Sequence, residues 1–202
     1  MKRRLVCLVL LIAAGCASPA PPPPPAASDE VKAEGVLRKA NQLVAGGDLD
    51  AAIICFSEAI KLDPTLSLAY VNRATCYIFH GKFDEAMADC TRVIELDPTS
   101  AVAYSYRGGI YDELGEHEKA IADYSKAIEL DPEERESYSK RAETYEIQGE
   151  FESAIADHSR VIELDPTDAW AYYDRAEAYD LQGDKEKAEA DFARARELGL
   201  ED

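Results

Sequence analysis

Pro64, Pro98, Pro132 and Pro166 stand 34 residues apart, each within Leu-Asp-Pro, and Gly47, Gly81, Gly115, Gly149 and Gly183 keep the same interval. A fixed period of this size means one supersecondary unit recurring along the chain. A unit so short cannot bury its own apolar face, so neighbouring units must stack to form a shared core. No other feature constrains the fold as strongly.

Residues 33–66, 67–100, 101–134, 135–168 and 169–202 make five units, and their internal spacing predicts two helices each. Small residues fill the eighth position (Ala40, Ala74, Gly108, Ala142, Ala176) and the twentieth (Ala52, Ala86, Ala120, Ala154, Ala188), where helices must cross closely. Tyr77, Tyr111, Tyr145 and Tyr179 hold the eleventh position; Phe56, Cys90, Tyr124, His158 and Phe192 hold the twenty-fourth. A glycine at the fifteenth allows the chain to reverse. An acid opens each second helix, facing the positive end of its dipole: Asp50, Asp84, Glu118, Glu152 and Glu186.

Over residues 33–202 this pattern resembles the tetratricopeptide repeat family. The resemblance implies an all-α fold, a right-handed α-solenoid of five helix-turn-helix repeats with a concave groove that holds peptides or partner proteins. The twenty-first position reads Ile53, Met87, Ile121, Ile155 and then Glu189; the twenty-eighth reads Ile60, Ile94, Ile128, Ile162 and then Arg196. The change from apolar to charged in the last unit is expected of a terminal cap, with the array ending there.

In this family the first helix of each unit lines the groove. The positions expected there include Leu37, Asn41, Leu68, Val71, Asn72, Phe79, Val102 and Tyr106 at one end, and Lys140, Trp170, Tyr173 and Asp174 at the other. One end reads apolar, the other acidic with aromatics. Tyr106, Tyr173 and Trp170 fall outside the packing positions and suit either anchoring of a partner or contact between repeats. Asn41 and Asn72 match the two asparagines of the carboxylate clamp in chaperone-binding members, but Leu37, Val102 and Tyr106 replace its basic residues. The expected ligand is an extended segment with apolar and basic side chains.

The charge balance agrees. The chain carries 22 basic and 40 acidic side chains, net −18, and without Lys2, Arg3 and Arg4 the balance is −21. Such a surface repels nucleic acid and anionic lipid. Arg73, Arg107, Arg141 and Arg175 at the seventh position accompany Asp89, Asp123, Asp157 and Asp191 at the twenty-third; the first unit has Lys39 and Cys55 instead. The matched absence predicts ion pairs bracing each repeat rather than an anion-binding ladder. His80, His117 and His158 lie in three separate repeats, and no catalytic, metal-binding or cofactor motif is present. The chain reads as a non-enzyme needing no cofactor. Cys55, Cys76 and Cys90 allow at most one internal bridge or serve as small core side chains.

The N-terminus reads as an address. Three basic residues precede an apolar run, Leu5–Ala14, that spans only about 15 Å as a helix, too short to cross a membrane. Ala13-Ala14-Gly15-Cys16 resembles the lipobox of bacterial lipoproteins, which implies a signal peptide over 1–15 and acyl chains on Cys16. Residues 16–32, with Pro19 and Pro21–Pro25, are expected to be a tether whose seven central positions reach about 22 Å as polyproline II. Ala17, where this family's sorting rule places Asp for inner-membrane retention, favours the outer membrane with the repeats in the periplasm. Membrane attachment is through the acyl chains alone. The rival expectation is an assembly subunit working through its convex face or as a homodimer, with the weaker first unit as the self-association edge.

Overall fold

The computed structural model describes residues 27–200. Ten helices follow in order: α1 (Ala27–Ala45), α2 (Leu49–Leu62), α3 (Ser67–Phe79), α4 (Phe83–Leu96), α5 (Ala101–Glu113), α6 (His117–Leu130), α7 (Arg135–Gln148), α8 (Phe151–Leu164), α9 (Ala169–Gln182) and α10 (Lys185–Glu197). There is no strand among the described residues. Each helix packs on the next, and α1, α3 and α5 also touch their successors two places on. The result is a five-repeat α-solenoid whose odd-numbered helices form one wall.

The crossing positions explain this regularity. All ten small residues at the eighth and twentieth positions are buried. Gly108 is smaller than its counterparts for a local reason: a Cβ there would stand 2.9 Å from the Tyr124 ring. Inside each repeat the turn needs a left-handed residue, and the glycines at the fifteenth position supply it with φ from +66° to +94°. Between repeats the Leu-Asp-Pro element acts differently. Proline keeps the preceding aspartate out of the helical region, and Asp63, Asp97, Asp131 and Asp165 end their helices in extended geometry. Three of these carboxylates then accept from the backbone N–H and the hydroxyl of Thr65, Thr99 or Thr167, at 2.6–3.1 Å. The proline ends the helix and the aspartate shapes the turn.

The expected braces are present. Arg73, Arg107, Arg141 and Arg175 each donate two hydrogen bonds to Asp89, Asp123, Asp157 and Asp191, at 2.6–2.9 Å. Arg73, Arg141 and Arg175 each lie between the two tyrosines at the fourth and eleventh positions of their repeat, 5.7–5.9 Å from the ring centres. A serine of the preceding repeat (Ser57, Ser125 or Ser159) accepts a third bond from the same three arginines. One guanidinium thereby ties two helices of its own repeat to the repeat before. In the first unit Cys55 joins an apolar cluster with Ala52, Phe56 and Ala59 instead.

The residues at positions twenty-one and twenty-eight are covered in the first four units, whereas Glu189 and Arg196 are exposed. One boundary differs from expectation. Helix α1 starts at Ala27, inside the segment read as tether, because Ala27, Ser28, Asp29 and Glu30 favour a helix start and Lys32 pairs with Asp29 at 2.9 Å. The segment read as a signal peptide, Cys16, Pro19 and Pro21–Pro25 lie outside the described residues. No helix among those described is long and apolar enough to cross a membrane.

Candidate functional site

Two adjoining cavities occupy the concave wall. The smaller, about 240 Å³, lies between α1 and α3 and reaches Tyr106 of α5. Asn41, Val44, Asn72, Thr75, Phe79 and Tyr106 line it, and the Asn72 amide donates to Asn41 Oδ1 at 2.9 Å. The larger, about 640 Å³, spans α3, α5 and α7, with Ile78, Phe79, Tyr106, Lys140, Glu143 and Ile147 around its mouth. Phe79 is 75% exposed and Ile147 66%, an unusual exposure for side chains of this size facing one another across a concavity.

The floor of the larger cavity is polar and tightly bonded. Asp112 Oδ2 accepts from the Tyr124 hydroxyl at 3.0 Å and from the Thr144 hydroxyl at 2.7 Å, while Asp112 Oδ1 meets His117 Nδ1 at 3.1 Å. Tyr124 and Thr144 are buried, and burial together with the Asp112 charge pushes the Tyr124 phenol pKa up. One carboxylate thus fixes α5 against α6 and α7. Lys140 pairs with Glu143 at 2.9 Å on the rim.

The structure therefore brings together Asn41, Asn72, Phe79, Tyr106 and Lys140. Leu37 does not join them: it is 8% exposed and packs with Ala40, Phe56 and Cys76 in the first core cluster. A buried leucine in the first unit fills space that the half-exposed Val71 and Ser105 leave open one and two repeats on. Val71 itself packs against the cluster of Tyr70, Val93 and Ala103. Leu68, Val102 and Trp170 are exposed at the start of their helices, away from both cavities. Tyr173 sits edge-on between Trp170 and Phe192, with ring centres 5.8 and 5.3 Å away, so its ring takes part in packing. Asp174 is half-buried on α9. Ile147 and the floor residues Thr144 and Tyr124 are cavity-lining side chains that the sequence reading did not single out. Ile147 was detectable, since it stands in the register of Phe79 two repeats on.

Two of the histidines have carboxylate neighbours on their own repeat: His117 meets Asp112, and His158 Nε2 lies 3.0 Å from Glu146 Oε1. The third, His80, is 3.2 Å from Asp50 of the preceding repeat. Cys55, Cys76 and Cys90 are buried free thiols, and burial pushes Cys90 up to about 12. Reactivity is suppressed in such surroundings.

Tetratricopeptide repeat models match residues 67–100 and 101–134, and again 34–66 and 171–198, and a TPR repeat model matches 145–183. This chain belongs to the tetratricopeptide repeat (TPR) family. Among solved TPR structures it is similar to MamA, at 27% identity over 79% of this chain and 93% of that one, with a TM-score of 0.72. It also shares its fold with YrrB, described as a TPR protein with an unusual peptide-binding site (21% identity, 81% and 84% coverage, TM-score 0.66). PilF of Pseudomonas aeruginosa shares it too, at 14% identity, 87% and 80% coverage and a TM-score of 0.77. This TPR fold is that of a protein-interaction scaffold, and nothing in the matched family points to an enzyme.

Proposed function

We propose that this TPR protein is a non-catalytic adaptor that holds an extended segment of a partner protein in its concave groove. The observation carrying this reading is the pairing of exposed Phe79 and Ile147 with Tyr106 around the 640 Å³ cavity, over a floor locked by Asp112. Rigid aromatic and aliphatic anchors beside a preformed concavity supply most of the energy in protein recognition. The asparagine pair in the neighbouring cavity offers amide donors and acceptors to an extended backbone. The acidic surface selects basic side chains in the segment. YrrB, on a similar fold, is described as having an unusual peptide-binding site, which supports peptide capture by such an array.

We infer further that the adaptor is anchored. Cleavage before Cys16 and acylation there would hold the repeats at the bacterial outer membrane, on a proline-rich tether facing the periplasm, in envelope assembly or proteolysis. Each buried methylene adds about 0.8 kcal/mol, so several acyl chains together give stable attachment. Anchor and tether then raise the local concentration of whatever the groove captures. Replacing Cys16 with serine should move the protein from the membrane to the soluble fraction of bacterial envelopes; membrane retention of that variant would remove the anchor.

The groove is tested by crosslinking and pull-down from envelopes with full-length wild type beside a Phe79→Ala/Tyr106→Ala variant. The wild type should capture a defined partner and the variant should lose it, by a factor of about thirty or more if each anchor contributes above about 1 kcal/mol. Equal capture by both, or capture only of further copies of the chain, would overturn the groove reading. In that case the convex face becomes the site.

A further inference from the structure

The groove is periodic, so its chemistry can be read cell by cell. The large cavity is walled by the ninth and twelfth positions of one repeat and the sixth and ninth of the next, over the twenty-fourth-position side chain, Tyr124. One repeat on, the same walls are Glu143, Glu146, Asp174 and Glu177, over His158. Glu143 belongs to both cells, so they adjoin.

Acidic residues on a surface are common; what lies beneath these is not. His158 is 1% exposed, its Nε2 engages Glu146, and its Nδ1 is buried with no partner. With Nε2 donating to Glu146, Nδ1 is a bare acceptor beneath four carboxylates. Among the described residues, neither Asp174 nor Glu177 has a hydrogen bond or an ion pair. Burial raises Asp174 to about 6; His158 of α8 opposes the rise, while Glu143 and Glu146 of α7 and Glu177 of α9 add to it. Glu143 is held by Lys140 and Glu146 accepts from the His158 ring, so the acceptors of this cell left with neither a hydrogen-bond donor nor a paired cation are Asp174, Glu177 and His158 Nδ1.

We propose that this cell is a pocket for one arginine side chain of the captured segment, seated next to the apolar side chain held by Phe79, Tyr106 and Ile147. A guanidinium carries five N–H donors and no acceptor, and its planar fork engages carboxylates more effectively than an ammonium does. No three His, Cys, Asp or Glu side chains among the described residues are placed to hold a metal ion, which fits an organic cation better. The proposal rests on the groove reading above and adds the chemistry and place of the basic residue.

The test titrates histidine-labelled full-length protein with Nα-acetyl-arginine amide at pH 7.5, followed by NMR. The His158 ring signals should move saturably while those of His80 and His117 stay, and the citrulline analogue should have no effect. Asp174→Asn should weaken binding at least tenfold, and lowering the pH to 5, below the raised Asp174 pKa, should weaken it as well. Asp174→Asn should also melt higher than wild type at pH 7.5, with most of that difference gone at pH 4. A carboxylate whose folded pKa is raised destabilises above that pKa and is neutral below its unfolded one. An equal response to citrulline or calcium chloride, no movement of His158, or an unaffected Asp174→Asn titration would overturn the pocket. Because the probe has no apolar anchor, a positive titration with failed partner capture would overturn the groove reading alone.

Discussion

Asp157→Ala should cost about 3–5 kcal/mol of stability, the largest loss expected of any single exchange away from the crossing helices. Arg141 is mostly buried, between Tyr138 and Tyr145, and Asp157 accepts two of its hydrogen bonds at 2.8 Å each. Removing the carboxylate leaves Ser125 as its remaining polar partner and an uncompensated charge in the interior of the array. The first repeat shows how such a site can do without the pair: Cys55 there is an apolar core residue. The double variant Arg141→Met/Asp157→Ala should therefore recover most of the loss, to within about 1 kcal/mol of wild type, since a buried pair exchanged for packed apolar groups is close to neutral. Urea unfolding followed by circular dichroism measures both. A double variant no more stable than the single would mean that lost packing, not the orphaned charge, sets the cost.

Asp112→Ala is the second large effect, and it links stability to the groove. The Tyr124 hydroxyl loses its acceptor in a buried position, which costs about 2–3 kcal/mol. Thr144 suffers less, because its hydroxyl already lies 2.8 Å from the Lys140 carbonyl and can donate there. Adding Tyr124→Phe removes the orphaned donor and should restore about half of the loss. Stability would return without the tie between α5 and α7, so the double variant should still bind the captured segment several-fold more weakly than wild type. Full recovery of both properties would show that Asp112 serves folding alone and that the cavity holds its shape without it.

These two sites differ in how far they could be read in advance. Arg141 and Asp157 were paired from sequence because the 34-residue register repeats them together and drops them together in the first unit. The same register placed the helices, the left-handed glycines and the five-repeat array, since each is a local or nearest-neighbour property that recurs in every unit. The turn made by Leu-Asp-Pro-Thr was equally local, but its aspartate–threonine bonds appear only in the coordinates.

The Asp112 network and the groove cells were not legible in this way. Thr144 and Asp112 are brought together by the stacking of two repeats, across a sequence separation of 32 residues. Leu37 was placed in the groove by register and proved to be core, because the first repeat packs an apolar residue where the half-exposed Val71, Ser105 and Ser139 stand in the next three. Which exposed apolar side chains face a common cavity depends on how successive helices are rotated and spaced, and no single unit encodes that. A 34-residue period specifies the repeating unit and its braces; the shape of the groove, and the buried histidine beneath its acidic end, arise only from stacking unequal units upon one another.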